Sequence, residues 1–276
     1  GFKLMLWGYF LKLCMADRAS MYVDQVFNSV NAHEGYSALI ASVLFSLQIY
    51  GDFAGYSFIA IGCARILGFS FNENFNSPYF STSITEFWRR WHISLSSWFR
   101  DYLYFPLGGS RTSKAKTYRN ILITFGVSGL WHGANWTFVL WGLIHGAIQC
   151  IERALGINKK TYHSCARIFH TALSFIIVTF AWVLFRADSI GDAILAYKQI
   201  FSLSDFTMFH GKPTILYCLM TSVIVFVKEC LPIAQPKLPR ILESKVFSDY
   251  LWPLFLAICI GLFGVFEGSQ FIYFQF

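Results

Sequence analysis

Residues 120–150 read NILITFGVSGLWHGANWTFVLWGLIHGAIQC, a run without a single Lys, Arg, Asp or Glu. A helix that crosses a bilayer needs about 20 mostly apolar residues, so this run is too long for one straight span. Small and polar residues interrupt it at SGLWHGAN, 128–135. The pattern predicts two shorter helices meeting at that break, with His132 at the junction. Irregular backbone at membrane depth is tolerated only where it is buried in protein or lines a cavity.

Working outward, further apolar runs lie at 1–15, 37–69, 168–185, 213–231 and 250–266. The 37–69 run predicts either a long tilted helix or one broken near Gly51 and Gly55. The chain is 55% apolar and only 13% charged, against about 25% charged in a soluble domain. These features predict an all-α polytopic membrane protein, a multi-helix bundle forming one domain over 1–276. The chain opens at Gly1 directly into apolar sequence, which reads as the C-terminal part of a longer protein with earlier spans missing.

The net charge is +7, but the basic residues sit in short tracts between apolar runs rather than on one soluble face. That is the pattern of cytoplasmic loops and excludes a nucleic-acid partner. Loops 72–119, 152–167 (Arg153, Lys159, Lys160, Arg167) and 232–249 (Lys237, Arg240, Lys245) are expected to be cytoplasmic. Loops 16–36, with Glu34 among its acids, and 186–212, with Asp205, are expected to face outward. The alternation closes only if 120–150 returns to its starting side as a hairpin or re-entrant pair. The seven Cys are scattered with no CxxC pair, so neither a disulfide framework nor a zinc site is supported.

The segment 83–100, SITEFWRRWHISLSSWFR, is not a span. Ser83 and Glu86 fit a capping box, and Trp88, Trp91, His92, Leu95 and Trp98 recur at helical spacing among Arg89, Arg90 and Arg100. The expectation is one amphipathic helix at the membrane interface, anchored by aromatic rings.

His132 is the sharpest candidate for chemistry. Ionisable groups inside a membrane are costly and mark functional sites. A neutral imidazole can take a proton from a hydroxyl during acyl transfer; the plainer alternative is a His that hydrogen-bonds between helices. His92 falls four residues after Trp88, on the same face of the expected helix, and reads either as a second functional imidazole or as an interfacial one. Arg89 and Arg90 could hold lipid headgroups or the phosphates of an acyl donor. Asp52 and Arg65 are thirteen residues apart, about 20 Å along a helix, so each is expected to find its partner on another helix. His145, thirteen residues after His132, should not share its face on a continuous helix. His33, His163, His170 and His210 are assigned no role.

The strings QIYGDFAGYSFIAIGCARILGF (48–69), NFNSPYFSTSITEFWRRWHISLSSWFRDYLYFPLGGSR (74–111) and GLWHGANWTFVLWGLIHG (129–146) together resemble the membrane-bound O-acyltransferase family. FAWVLFRADSIGDA (180–193) and the terminal FIYFQF fit its alginate O-acetyltransferase membrane-subunit and peptidoglycan O-acetylation branch. The resemblance implies that His132 is the catalytic His of the WHG motif and that His92, in RRWHISLS, is a second recurring polar site. Trp131, Asn135, Arg89, Arg90 and Asp52 join them as substrate-binding candidates. It further implies a multi-pass protein of the bacterial inner membrane, with no permanently bound cofactor or metal. Acetyl-CoA or a similar thioester would be the cytoplasmic acyl donor. An extracytoplasmic acetyltransferase partner of the SGNH or esterase-like kind would receive the acetyl group for alginate-like or peptidoglycan modification.

Three other functions compete. D-alanyl transfer to a carrier for teichoic acid shares the FWRRWH core. A transporter or flippase would line its path with the same polar groups, but usually shows paired discontinuous spans in two repeats, and no repeat stands out. A non-catalytic scaffold for an extracytoplasmic partner is the third.

Overall fold

The computed structural model describes residues 1–33, 36–202, 212–234 and 244–266. Glu34, Asp205, His210, Lys237, Arg240, the Lys159 side chain and the terminal FIYFQF lie outside the described residues. Among the described residues every regular element is helical. In chain order these are α1 (Phe2–Tyr9), α2 (Asp17–Phe27), α3 (Tyr36–Ile66), α4 (Ile84–Arg90), α5 (Ile93–Phe99), α6 (Lys114–His132) and α7 (Trp136–Ala154). They continue as α8 (Ser164–Arg186), α9 (Ile190–Ser202), α10 (Lys212–Ala234) and α11 (Trp252–Phe263). Among the described residues three stretches are long and apolar enough to cross a membrane: Tyr36–Ile66, Ser164–Arg186 and Thr214–Leu231. The chain divides into two compact units, Gly1–Glu73 with Asp205–Phe276, and Asn74–Ser204.

In the first unit, a π-helical stretch, Phe10–Ala16, joins α1 to α2, and this run packs along α3. Of the two expectations for 37–69, the unbroken helix is found: α3 runs straight through Gly51 and Gly55. The glycines serve contact rather than bending. A Cβ on Gly55 would stand 2.8 Å from the Gly8 carbonyl oxygen, closer than carbon and oxygen tolerate.

The same unit buries several charges, which are stable there only when paired. Lys12 Nζ lies 2.8 Å from Asp17 and 2.6 Å from Asp52. Asp52 thus finds its partner on another helix, as expected, whereas Arg65 is exposed. Glu229 accepts a hydrogen bond from Tyr50 Oη, and Arg18 donates to the Phe263 carbonyl at 3.0 Å, tying α10 and α11 to the earlier helices.

The second unit is organised by α6 and α7, an antiparallel pair that meets the expectation of two helices joined at the SGLWHGAN break. Their backbones touch. A Cβ on Gly129 would come 2.2 Å from the Phe138 carbonyl oxygen, and one on Gly142 2.1 Å from that of Phe125. Gly142 and Gly146 form the small-xxx-small spacing that lets membrane helices approach closely where lipid supplies no hydrophobic drive. Helix α8 packs against α7, and α9 is tied back by the Tyr197 hydroxyl, which donates to the Phe180 carbonyl at 2.7 Å.

Candidate functional site

The site of the second unit starts from a helix that does not stay whole. The expected single helix over 83–100 is two, α4 and α5, broken at Trp91 and His92. His92 takes the left-handed conformation at φ 44°, ψ 55°, which costs a non-glycine residue about 1–3 kcal/mol and persists only where neighbours enforce it. The enforcing neighbour is the segment 74–76. Asn74 O accepts from Ile93 N at 3.0 Å, and Asn76 N donates to Arg90 O at 3.0 Å. Asn74 Oδ1 accepts from the Ser94 hydroxyl at 2.6 Å. His92 and Trp88 therefore do not share a helix face. Trp88 and Trp91 are core residues rather than interfacial anchors, while Trp98 is exposed.

The capping box is half as expected. Ser83 Oγ accepts from Glu86 N at 3.0 Å, but Glu86 reaches one residue further back, accepting from Thr82 N at 2.8 Å and Thr82 Oγ1 at 2.7 Å. A carboxylate that sequence reasoning missed completes the start of α4. Glu152, buried near the end of α7, accepts from Ile84 N at 2.6 Å, Thr85 N at 2.9 Å and Thr85 Oγ1 at 2.7 Å. Negative charge belongs at a helix N-terminus. The available signal was a lone acid at the end of an apolar run.

His132 closes α6 and is half-buried. Its ring sits 5.0 Å from Trp131, 5.2 Å from Trp141 and 5.2 Å from Phe185, each contact edge-to-face. Trp141 is fully buried and stacks on Trp182 at 5.5 Å. The floor beneath His132 is thus fixed, while Trp131 is exposed on the open side. His92 also reaches Trp131, at 6.5 Å, so one indole lies against both imidazoles. Burial pulls His92 down to about 4.

His145 departs from expectation. The chain turns at Gly133–Asn135, and from α7 His145 packs 5.2 Å from the same Trp141 that carries His132. It is fully buried, and neither ring nitrogen has a hydrogen-bond partner among the described residues.

The remaining candidates separate. Asn135 caps α7, its Oδ1 accepting from Thr137 N at 3.1 Å, and its Nδ2 donates to the Asp188 carbonyl at 2.9 Å. Arg90 pairs with Glu86 at 2.7 Å and donates to the Asn76 carbonyl. Arg89 instead lines a cavity of about 360 Å³ bordered by α4, α5, α6 and α7. Asp52 belongs to the first unit, held by Lys12. Among the described residues no three His, Cys, Asp or Glu side chains gather as metal ligands.

The family pattern described as "MBOAT, membrane-bound O-acyltransferase family" matches residues 2–189. A probable alginate O-acetylase of Pseudomonas syringae pv. tomato is 45% identical over 201 residues, 73% of this chain and 38% of that protein. A peptidoglycan O-acetyltransferase of Helicobacter pylori is 37% identical over 204 residues, 74% of this chain and 39% of that protein. A teichoic acid D-alanyltransferase of Bacillus subtilis is 29% identical over 185 residues, 64% of this chain and 47% of that protein. The chain therefore spans about two fifths of the length of the alginate and peptidoglycan relatives it matches. With the family pattern covering more than half of its residues, including both imidazoles against Trp131, the chain belongs to the membrane-bound O-acyltransferase family.

Proposed function

We infer that this chain carries the reacting centre of a membrane O-acetyltransferase. It moves an acetyl group from a cytoplasmic thioester, acetyl-CoA or a similar donor, to a hydroxyl acceptor for extracytoplasmic polysaccharide acetylation. The observation that carries this reading is the half-buried His132 imidazole, held by Trp141 and Phe185 beneath and open beside Trp131.

His132 acts as general base. It takes the proton as the acceptor oxygen attacks the thioester carbonyl; the C–O bond forms, the C–S bond breaks, and the proton returns to the departing thiolate sulfur. General base catalysis of this kind contributes about 10²–10⁴-fold, and the rest comes from holding both reactants in line. His92, across Trp131, orients the acceptor. Trp131 offers its exposed indole face as the wall both substrates share.

The similarity to the alginate and peptidoglycan O-acetyltransferases favours acetyl transfer to a cell-envelope glycan; the proposal adds a bacterial inner membrane and an extracytoplasmic SGNH or esterase-like partner as next acceptor. D-alanyl transfer is the second reading, favoured by the shorter match to the teichoic acid enzyme. Labelled acetyl-CoA supplied to the intact protein in membranes tests both. His132→Ala should abolish release of coenzyme A and label transfer while membrane insertion persists. Undiminished transfer in that variant overturns the proposal, and label passed only from a D-alanyl thioester supplied in a parallel assay would move it to the second reading.

A further inference from the structure

The cavity beside α4 and α5 is separate from the reacting imidazole. Neither His92 nor His132 lines it. Trp88 does, and its ring stands edge-on to Trp141 at 5.6 Å, so a buried indole pair lies between the cavity and His132. A ligand confined to this lining does not border the His132 imidazole.

The lining has the chemistry of a phosphate on an apolar tail. Arg89, Arg100 and Arg153 contribute exposed guanidiniums from three different elements, and no Asp or Glu lines the space. Arg89 and Arg153 have no carboxylate partner among the described residues. Arg100 pairs with Asp101, but both are exposed, so that pair exchanges easily. Guanidinium forks match phosphate oxygens two at a time. Below them Phe99, Ile121 and Phe125 supply an apolar floor. A space of about 360 Å³ is at the small end of ligand pockets; it fits one headgroup and a short length of chain.

Two sources carry that chemistry, a membrane phospholipid and a soluble phosphate-bearing thioester donor. The surroundings favour the lipid. The stretch of chain that supplies Arg100 also presents Trp98 and Tyr102 outward, the aromatic residue types enriched at headgroup level. Basic pockets between membrane helices on the cytoplasmic side are where anionic headgroups bind.

We propose that the cavity formed by Arg89, Arg100 and Arg153 over Phe99, Ile121 and Phe125 is a binding site for an anionic phospholipid, distinct from the transfer site. Occupancy would clamp α4 and α5 against α6 and α7, on the far side of Trp88 from His132.

The test uses the intact protein, delipidated in neutral detergent. Native mass spectrometry counts bound phosphatidylglycerol against phosphatidylcholine. Phosphatidylglycerol should be retained preferentially, and Arg89→Gln, Arg100→Gln and Arg153→Gln together should weaken it about tenfold or more. A charge-matched set outside the cavity, Arg111→Gln, Lys114→Gln and Lys116→Gln, should leave it unchanged. Equal weakening in both sets overturns the proposal, since it reports diffuse surface charge. So does displacement by coenzyme A, which assigns the cavity to the donor, or by inorganic phosphate at matching concentration, which removes any need for a tail. If the triple variant does not fold, the three single variants decide; wild-type retention in all of them also overturns it.

Discussion

The imidazole of His132 meets the indole of Trp141 at 5.2 Å and 87°, an edge-to-face contact between the last residue of α6 and a fully buried residue of α7. Aromatic pairs in this geometry contribute about 0.5–1.5 kcal/mol beyond burial, and here the contact helps to orient the ring proposed as general base. Trp141→Phe should therefore lower kcat with little change in KM, because the ring keeps its pocket but loses its aim. Trp141→Ala should also destabilise the protein by about 3–5 kcal/mol. Steady-state kinetics of the first variant and thermal unfolding of the second check the two effects separately.

The seam between α6 and α7 admits no side chain at Gly129 or Gly142. Gly142→Ala places a methyl 2.1 Å from the Phe125 carbonyl oxygen, and the helices must separate. A cost of about 1–3 kcal/mol is expected. Gly156→Ala, in open space but at φ 70°, is the contrasting case: any loss there reflects backbone strain alone. Thermal shift of the pair distinguishes crowding from strain.

Glu152→Ala removes the acceptor for two backbone N–H groups and one hydroxyl at the start of α4. Unsatisfied buried donors cost about 1–3 kcal/mol, so the variant should unfold at lower temperature. Hydrogen exchange should rise at Ile84 and Thr85 first. Protection there equal to wild type would show that Glu152 does not hold the helix start.

His92 gives a pH signature. Burial lowers it to about 4 from its ordinary 6.5. As pH falls, the unfolded chain takes up its proton first, so the contribution of His92 to stability is full above about 6.5 and is lost between there and about 4. His92→Gln should flatten that part of the acid-side decline in Tm. An unchanged decline would mean that other groups produce it.

Lys12 holds two buried carboxylates, Asp17 and Asp52. Lys12→Met leaves both without their cation, and breaking a buried pair in this way costs about 3–5 kcal/mol. Adding Asp52→Asn to Lys12→Met should recover part of the loss. Failure of the second substitution to recover any stability would sink the pairing.

Much of this architecture was legible in residue order. Apolar runs marked the long helices, and the SGLWHGAN interruption marked the turn that separates α6 from α7. What residue order concealed was the break at Trp91 and His92. Tryptophans at helical spacing read as one amphipathic face, but the backbone of Asn74 and Asn76, distant in sequence, pairs with Arg90 and Ile93 and splits the helix. His145 was hidden for a similar reason. Its angular offset from His132 holds only on a continuous helix, and the turn at Gly133–Asn135 lets both rings reach Trp141. Glu152 gave no periodic signal, because its partners belong to another helix.

The close approach of Gly129 and Gly142 has a consequence for how this molecule can vary. Main chain rests directly on main chain, so the height of residue 132 is inherited from two peptide ribbons rather than from the bulk of surrounding hydrocarbon groups. Outward positions on the same helix, such as Ile123, Val127 and Leu130, are exposed. They can be exchanged for other apolar residues without disturbing the peptide contact that sets the imidazole.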